Sequence, residues 1–244
     1  MHCSLRLHET FTGNGDQEMR KGKKVVGVVT IGQSPRTDVL PEMKLFWGRE
    51  VEVRECGALD DLSRKEIQDL GANIKGDLLV TRLRDGTEVK VGHEDVIPRV
   101  EACIRKLENE VPVIILICTG TFPPFKSKSF ILYPEPILYH VAQSVLRGGK
   151  LGVLTPGVEQ IQYQQERWMK IFPEVSVRGA SPYVKDGEEV KEAARKLKEE
   201  GSNLIVMDCI GYTLMMKDWV KEVTGKPALL ARSTLARVAG ELLG

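Results

Sequence analysis

The sequence predicts an α/β fold: two pseudo-symmetric lobes with mostly parallel sheets flanked by helices, and a cleft between the lobes. Three observations carry this. Short aliphatic runs alternate with amphipathic stretches from Lys24 onward, the order expected of parallel sheets crossed over by helices. Two of those runs, Ile114–Ile117 and Leu204–Met207, are continuously apolar and lead into matching frames, Cys118-Thr119-Gly120 and Cys209-Ile210-Gly211. Strands buried on both faces read this way, and ligands in open α/β sheets gather at their carboxyl ends. Finally, the chain echoes itself in order. Lys23–Thr30 resembles Gly149–Thr155, Val51–Ala58 resembles Val175–Ala180, and the two cysteine strands come third in each half. Such order suggests an internal duplication that puts the cysteines in equivalent places.

The elements follow from local pattern. Met1 to Lys24 is polar and lacks the apolar core of a secretory signal, so residues 1–23 are expected to be a flexible tail. Val25–Ile31 reads as a strand, Arg36–Trp47 as a helix, Val51–Arg54 as a short strand and Leu62–Leu70 as a helix. Leu78–Leu83 and Glu88–Val91 flank Asp85-Gly86, a turn signal that predicts a two-stranded hairpin. Val96, Val100, Ile104 and Leu107 recur on one face, which predicts a helix over His93–Glu110. The chain is expected to cross between lobes near Tyr133–Pro136. It then returns through a strand, Ala228–Leu230, and a helix, Ser233–Leu243, to the first lobe. Lobe 1 is thus 24–134 plus 226–244, and lobe 2 is 135–225.

Composition excludes several classes. A net charge of +1 over 244 residues offers no basic face for nucleic acid or a membrane surface. No apolar stretch approaches the ~20 residues of a membrane helix, and a cytoplasmic location is expected. Five cysteines, Cys3, Cys56, Cys103, Cys118 and Cys209, show no CxxC and no ligand clustering, so no metal site is expected. Reduced thiols are expected throughout, with Cys56 and Cys103 as packing residues. His93 and His140 read as surface or capping residues. A homo-oligomer is left open.

Two thiols across a cleft supply what removal and return of a carbon-bound proton require, a base on one face and an acid on the other. Each cysteine is expected to lead into a helix, whose first N–H groups stabilise a thiolate or a substrate carboxylate. The bland alternative is a small buried hydrophobe at a strand end. The loop Gly32-Gln33-Ser34-Pro35-Arg36-Thr37 can hold an anion through Ser34 and Arg36, or simply start a helix with Ser34 as cap and Pro35 at the first position. Thr119 and Thr121 stand beside Cys118 as carboxylate donors or as turn residues. Gly211 lets the backbone approach a ligand closely. Tyr212 and Thr213 stand in the same relation to Cys209, the first as a ligand contact or a packed ring, the second as a donor or a helix cap. Asp208 would raise the pKa of an adjacent thiol unless it is turned away or paired with a base.

The segments Thr30-Ile31-Gly32-Gln33-Ser34-Pro35-Arg36-Thr37-Asp38, Met207-Asp208-Cys209-Ile210-Gly211-Tyr212 and Leu235–Leu243 resemble the AroM family, and the likeness runs from about Lys24 to Leu243. More distantly, the paired cysteine strands are similar to the aspartate/glutamate/hydantoin racemase superfamily. That resemblance implies two lobes that each give one cysteine to a central cleft, with no pyridoxal phosphate or metal. Relatives there also use a cysteine as nucleophile in maleate isomerase or as proton donor in arylmalonate decarboxylase. Glutamate racemases carry Cys-Thr-His at the second cysteine, and Cys209-Ile210-Gly211-Tyr212 departs from it, which counts against glutamate racemase itself. The expectation is a cofactor-independent racemase- or isomerase-like enzyme acting on a small carboxylate or amino acid. The alternative is a non-catalytic protein that senses a small anion.

Overall fold

In the computed structural model, residues 24–48, 51–74, 77–184 and 186–244 are described. The expected tail lies outside the described residues. The first half runs β1 (Lys24–Thr30), α1 (Leu40–Lys44), β2 (Val51–Gly57), α2 (Arg64–Ala72), β3 (Leu78–Arg82), β4 (Glu88–Gly92), α3 (His93–Leu107), β5 (Val113–Leu116), β6 (Phe130–Leu132) and α4 (Pro134–Val145). The second runs β7 (Lys150–Thr155), a 3₁₀ turn (Val158–Gln160), α5 (Ile161–Met169), β8 (Val175–Gly179), α6 (Glu188–Glu199), β9 (Ser202–Met207), α7 (Leu214–Thr224), β10 (Ala228–Leu230) and α8 (Ala231–Leu243). Among the described residues no helix is long and apolar enough to cross a membrane.

Two parallel four-stranded sheets result, with orders β2-β1-β5-β6 and β8-β7-β9-β10. The orders superpose the echoes read in the sequence: β1 on β7, β2 on β8, β5 on β9. This topology also corrects one expectation. Strand β10 does not return to the first lobe; it pairs in parallel with β9, Leu229 opposite Val206, as the counterpart of β6 beside β5. Only α8 reaches back, packing on α1 and α4. Strand β6 escaped the sequence reading because three residues in a loop-like stretch, one of them the exposed Phe130, show no periodicity.

Each sheet is covered on both faces, as its continuous apolar strands require. One core unites the facing sides: Val26, Val28 and Ile115 of the first sheet share a buried cluster with Leu151, Val153 and Val206 of the second, closed by Trp168 and by Leu235 and Ala239 of α8. The outer face of the first sheet packs on α3 through Val96, Val100 and Ile104, and that of the second on α6 and α7 through Val190, Leu197 and Val220.

Two further expectations change. Helix α1 starts at Leu40 instead of Arg36: the Arg36 N–H donates to Glu55 at 2.7 Å and its guanidinium is held by Asp38 and Thr30, so residues 34–39 form an irregular turn. Cys56 and Cys103 are joined in a disulfide between the end of β2 and α3, with Cα atoms 5.5 Å apart. They are therefore not the reduced packing residues expected. The pairing spans 47 residues and exists because α3 lies directly on β2, a contact no local spacing announces.

Candidate active site

The cysteine frames place their thiols at equivalent positions in the two sheets. Cys118 stands two residues past Leu116, the last residue of β5, and Cys209 two past Met207, the last of β9. The N–H of Gly120 donates to Cys118 Sγ at 3.5 Å, and that of Gly211 to Cys209 Sγ at 3.3 Å. Both cysteines line one cavity between the sheets, of about 30 Å³. This is room for about two waters, given the ~10–15 Å³ that one needs, so a larger ligand enters only if part of the wall moves. Leu79, Val80 and Thr81 of β3 form one wall of the cavity. The hairpin is tied to the second lobe by Gln160 Nε2 donating to Leu78 O at 2.9 Å, Ser181 Oγ donating to Glu88 at 2.6 Å, and a Lys90–Glu159 ion pair.

Of the anion-loop residues, only Arg36 reaches the cavity. Its guanidinium is buried and bidentate on Asp38, Nε and one Nη each at 2.8 Å, while the other Nη donates to Thr30 Oγ1 at 2.9 Å. Burial works against its charge, but Asp38 and the nearby Tyr183 more than offset that and hold the pKa above the usual arginine value. Burial likewise opposes ionisation of Asp38, yet the bonds from Arg36 keep its carboxyl below the usual range. Ser34 does not join them. Its N–H and hydroxyl donate to Asp60 at 2.7 and 2.6 Å, so it caps no helix, and it does not line this cavity.

The remaining predicted residues divide. Thr119 lines the cavity, its hydroxyl donating to Asp208 O at 3.2 Å, and Gly211 lines it from the other loop. Thr121 sits outside, donating to Glu135 at 2.6 Å in a shallower depression that shares Tyr163 and Arg167 with the cavity. Tyr212 is fully buried in the core of the second lobe with its hydroxyl on Ala180 O at 2.6 Å. Thr213 caps α7, accepting from Met216 N–H at 3.1 Å. Cys209 thus precedes a capped helix, but the chain after Cys118 runs on as a loop to β6. Only the second cysteine leads into a helix as expected.

A buried ion pair joins the two cysteine loops. Asp208 accepts from Arg167 at 2.5 Å and from Trp168 Nε1 at 2.8 Å, and the other Nη of Arg167 donates to Thr119 O at 2.8 Å. Asp208 is therefore paired with a base, the second of the two arrangements open from sequence. Arg167 is desolvated, but Asp208, Tyr139 and Glu135 raise its pKa on balance. The Cys209 loop has its own clamp: the fully buried Arg232 donates to Ile210 O and Gly211 O at 2.8 and 2.9 Å and to Glu42 at 2.8 Å. In the closed cavity burial pushes the Cys118 thiol up to about 11 and the Cys209 thiol up to about 12, with the glycine N–H groups pulling back in part. The charge of Cys118 also raises Cys209, so the two thiols feel each other.

Sequence reasoning missed Tyr183, Arg232 and the whole cavity face of α5. Gln160, Tyr163, Gln164 and Arg167 all line the cavity, at the i, i+3, i+4, i+7 spacing of one helical face. The signal was a polar stripe where an amphipathic helix should turn apolar residues inward.

Together, the paired sheets and the cavity at their carboxyl ends define a two-lobed α/β protein of the racemase-like fold. Within that class the chain belongs to the AroM family, whose model, described as AroM protein, matches residues 26–243. No curated protein sequence matches the chain. Among solved structures it is similar to a Nocardia farcinica maleate cis-trans isomerase bound to TRIS (13% identity, TM-score 0.61, covering 90% of this chain and 92% of that one). It also resembles a Picrophilus torridus aspartate racemase (13%, 0.57, 91% and 94%) and an allantoin racemase from Klebsiella pneumoniae (14%, 0.55, 90% and 87%). At such identities the likeness is one of fold.

Proposed function

We propose that this protein is a cofactor-independent racemase- or isomerase-like enzyme in which one of Cys118 and Cys209 removes a carbon-bound proton of a small carboxylate or amino acid and the other returns one to the opposite face. The observation that carries the reading is the matched placement of both thiols on one cavity, each bonded by the glycine N–H two residues on. Turnover starts from the form with one thiolate. That sulfur takes the proton from the reacting carbon and becomes a thiol. The opposite thiol gives its proton to the other face of the carbanion and becomes the thiolate, so protons balance and the roles exchange. Arg36, Tyr183, Thr119 and the Gly211 backbone are the polar groups placed to hold the substrate. Names of the structural neighbours, two racemases and an isomerase, support this class of reaction.

The test is exchange of a carbon-bound proton in D₂O across a panel of amino acids and small carboxylates. Loss of exchange in Cys118→Ala or Cys209→Ala supports the pair, and exchange retained in both removes it. A second reading, a non-catalytic sensor of a small anion, is favoured by the raised pKa of both thiols in the closed cavity. Ligand-induced stabilisation with no exchange of any ligand that binds would support it.

A further inference from the structure

An open sheet ends in strands whose outward N–H and C=O groups have no ladder partner, and proteins usually shorten, charge or cover such edges. The two four-stranded sheets end in β2, β6, β8 and β10. Strands β6 and β10 are three residues long. Strand β8 has five, but its outward carbonyls at Val175 and Val177 accept from Gln165 Nε2 at 2.7 Å and Arg178 Nη1 at 2.9 Å. Strand β2 is different. It has seven residues and pairs with β1 alone.

The register shows which of its groups are left over. Ala58 N–H donates to Thr30 O of β1 at 2.9 Å, while Gly57 N–H turns away to Asp60 at 2.8 Å. The N–H and C=O of one strand residue share a side, and that side alternates along the strand. Glu52, Arg54 and Cys56 therefore face β1, and Val51, Val53 and Glu55 face outward. Among the described residues, no hydrogen bond engages the backbone N–H or C=O of those three. Val51 and Val53 are only partly buried against the shared core, which leaves them apolar area still to cover.

The side chains of this edge fit a second copy of the chain. Antiparallel pairing about a two-fold axis at Val53 sets residue 53 against itself, 51 against 55 and 52 against 54. The first two are hydrogen-bonded pairs, since their groups face outward, and each exchanges two bonds. Glu52 and Arg54 fall on the non-hydrogen-bonded pairs, where side chains come closest. Within one chain they already form an ion pair, Nη2 to Oε1 at 2.6 Å, on the face that turns Cys56 to α3. Across the axis each Arg54 meets the partner's Glu52 as well, and opposite charges lie opposite at both places. Charges that would repel a stray strand thus match those of an identical one. An axis at Glu55 would instead set two carboxylates against each other.

We infer that β2 is the contact edge of a homodimer, in which Val51–Glu55 of two copies pair antiparallel about Val53 and join the two first sheets into one. The dimer does not depend on the proposed reaction, since the cavity is lined within a single chain.

Sedimentation of the full chain at about 1–100 μM, within the range where ordinary interfaces hold, should show a dimer. Val53→Pro removes the outward N–H at the axis from a place where an edge strand accepts proline. It should yield a monomer with unchanged far-UV dichroism. Glu52→Arg and Arg54→Glu each set like charges across the axis and should weaken the dimer about ten-fold or more. Mixed in equal amounts, these two variants oppose unlike charges again and should form a heterodimer at wild-type concentrations. No effect confined to one chain produces that recovery. Should Val53→Pro fail to fold, the two reversals and their mixture carry the test alone. A wild type that stays monomeric throughout the range, a dimer that survives Val53→Pro or the reversals, or a mixture that stays monomeric overturns the inference.

Discussion

Alkylation of the cavity thiols is expected to be slow at neutral pH and to accelerate without a plateau well into the alkaline range. The perturbation is iodoacetamide, titrated against pH in the ligand-free protein, with each cysteine followed by peptide mapping. The thiols are pushed up to about 11 at Cys118 and about 12 at Cys209, chiefly by burial. At pH 8 a thiol near 11 is thiolate in about one molecule in a thousand and one near 12 in about one in ten thousand, against about one in four for a free cysteine near 8.5. The more basic thiolate is intrinsically more nucleophilic, which returns about one order of magnitude. Net slowing of roughly ten- to a hundred-fold remains, larger at Cys209, which is the more deeply buried. Rates should climb about ten-fold per pH unit to beyond pH 10. A plateau below pH 9 at either cysteine would show a thiolate stabilised in the resting cavity and refute the burial argument. Stability should follow the same sign. The unfolded chain releases its thiol protons first, so from about pH 8.5 upward each cavity thiol subtracts up to about 1.4 kcal/mol per pH unit until its folded pKa is reached. Cys118→Ser and Cys209→Ser should each flatten that slope.

Three other outcomes follow from the packing. Arg167→Met strands the Asp208 carboxylate with Trp168 alone and should cost about 3–5 kcal/mol. That corresponds to a fall in Tm of roughly 6–20 °C for a chain of this size, and Asp208→Asn added to it should return more than half. A single-variant loss below about 1 kcal/mol would mean the pair is solvated like a surface one. Gly211→Ala brings a Cβ within 2.7 Å of Pro182 Cγ and 2.8 Å of the Tyr183 hydroxyl. It should displace Tyr183 from Arg36, lower stability by about 1–3 kcal/mol, and abolish ligand-induced stabilisation; an unchanged thermal shift with ligand would contradict the placement of Tyr183. Replacing both Cys56 and Cys103 by Ala should cost about 2–4 kcal/mol in urea unfolding, because the bond closes a loop of 47 residues. Curves identical with and without reductant would show that the bond contributes nothing.

The thiol frames, the duplication and the hairpin were legible in the sequence because each rests on short-range pattern. Unbroken aliphatic runs such as Val113–Leu116 and Leu204–Met207 have few conformations open to them but a buried strand, and Asp85-Gly86 reverses the chain by its own turn chemistry. The loop after each strand then carries its cysteine to the sheet's carboxyl edge without help from elsewhere. The side chains around those thiols obey a different rule. Ser34 and Arg36 are two residues apart, yet Asp60 claims one and Asp38 with the cavity claims the other. Tyr212 adjoins Gly211 but faces the core, because its ring fits the packing between α6, α7 and the sheet.

What the sequence by itself determined is therefore the two-sheet α/β architecture and the equivalence of Cys118 and Cys209 within it. Tertiary structure alone decided that Arg167 from α5 would lock Asp208 to Thr119, that Arg232 would clamp the Cys209 loop, that β10 would extend the second sheet, and that Cys56 would meet Cys103. The physical reason is reach. Strand and turn preferences are settled by neighbours a few residues away, whereas a buried charge or thiol takes its partner from whichever element packing brings alongside, however distant along the chain.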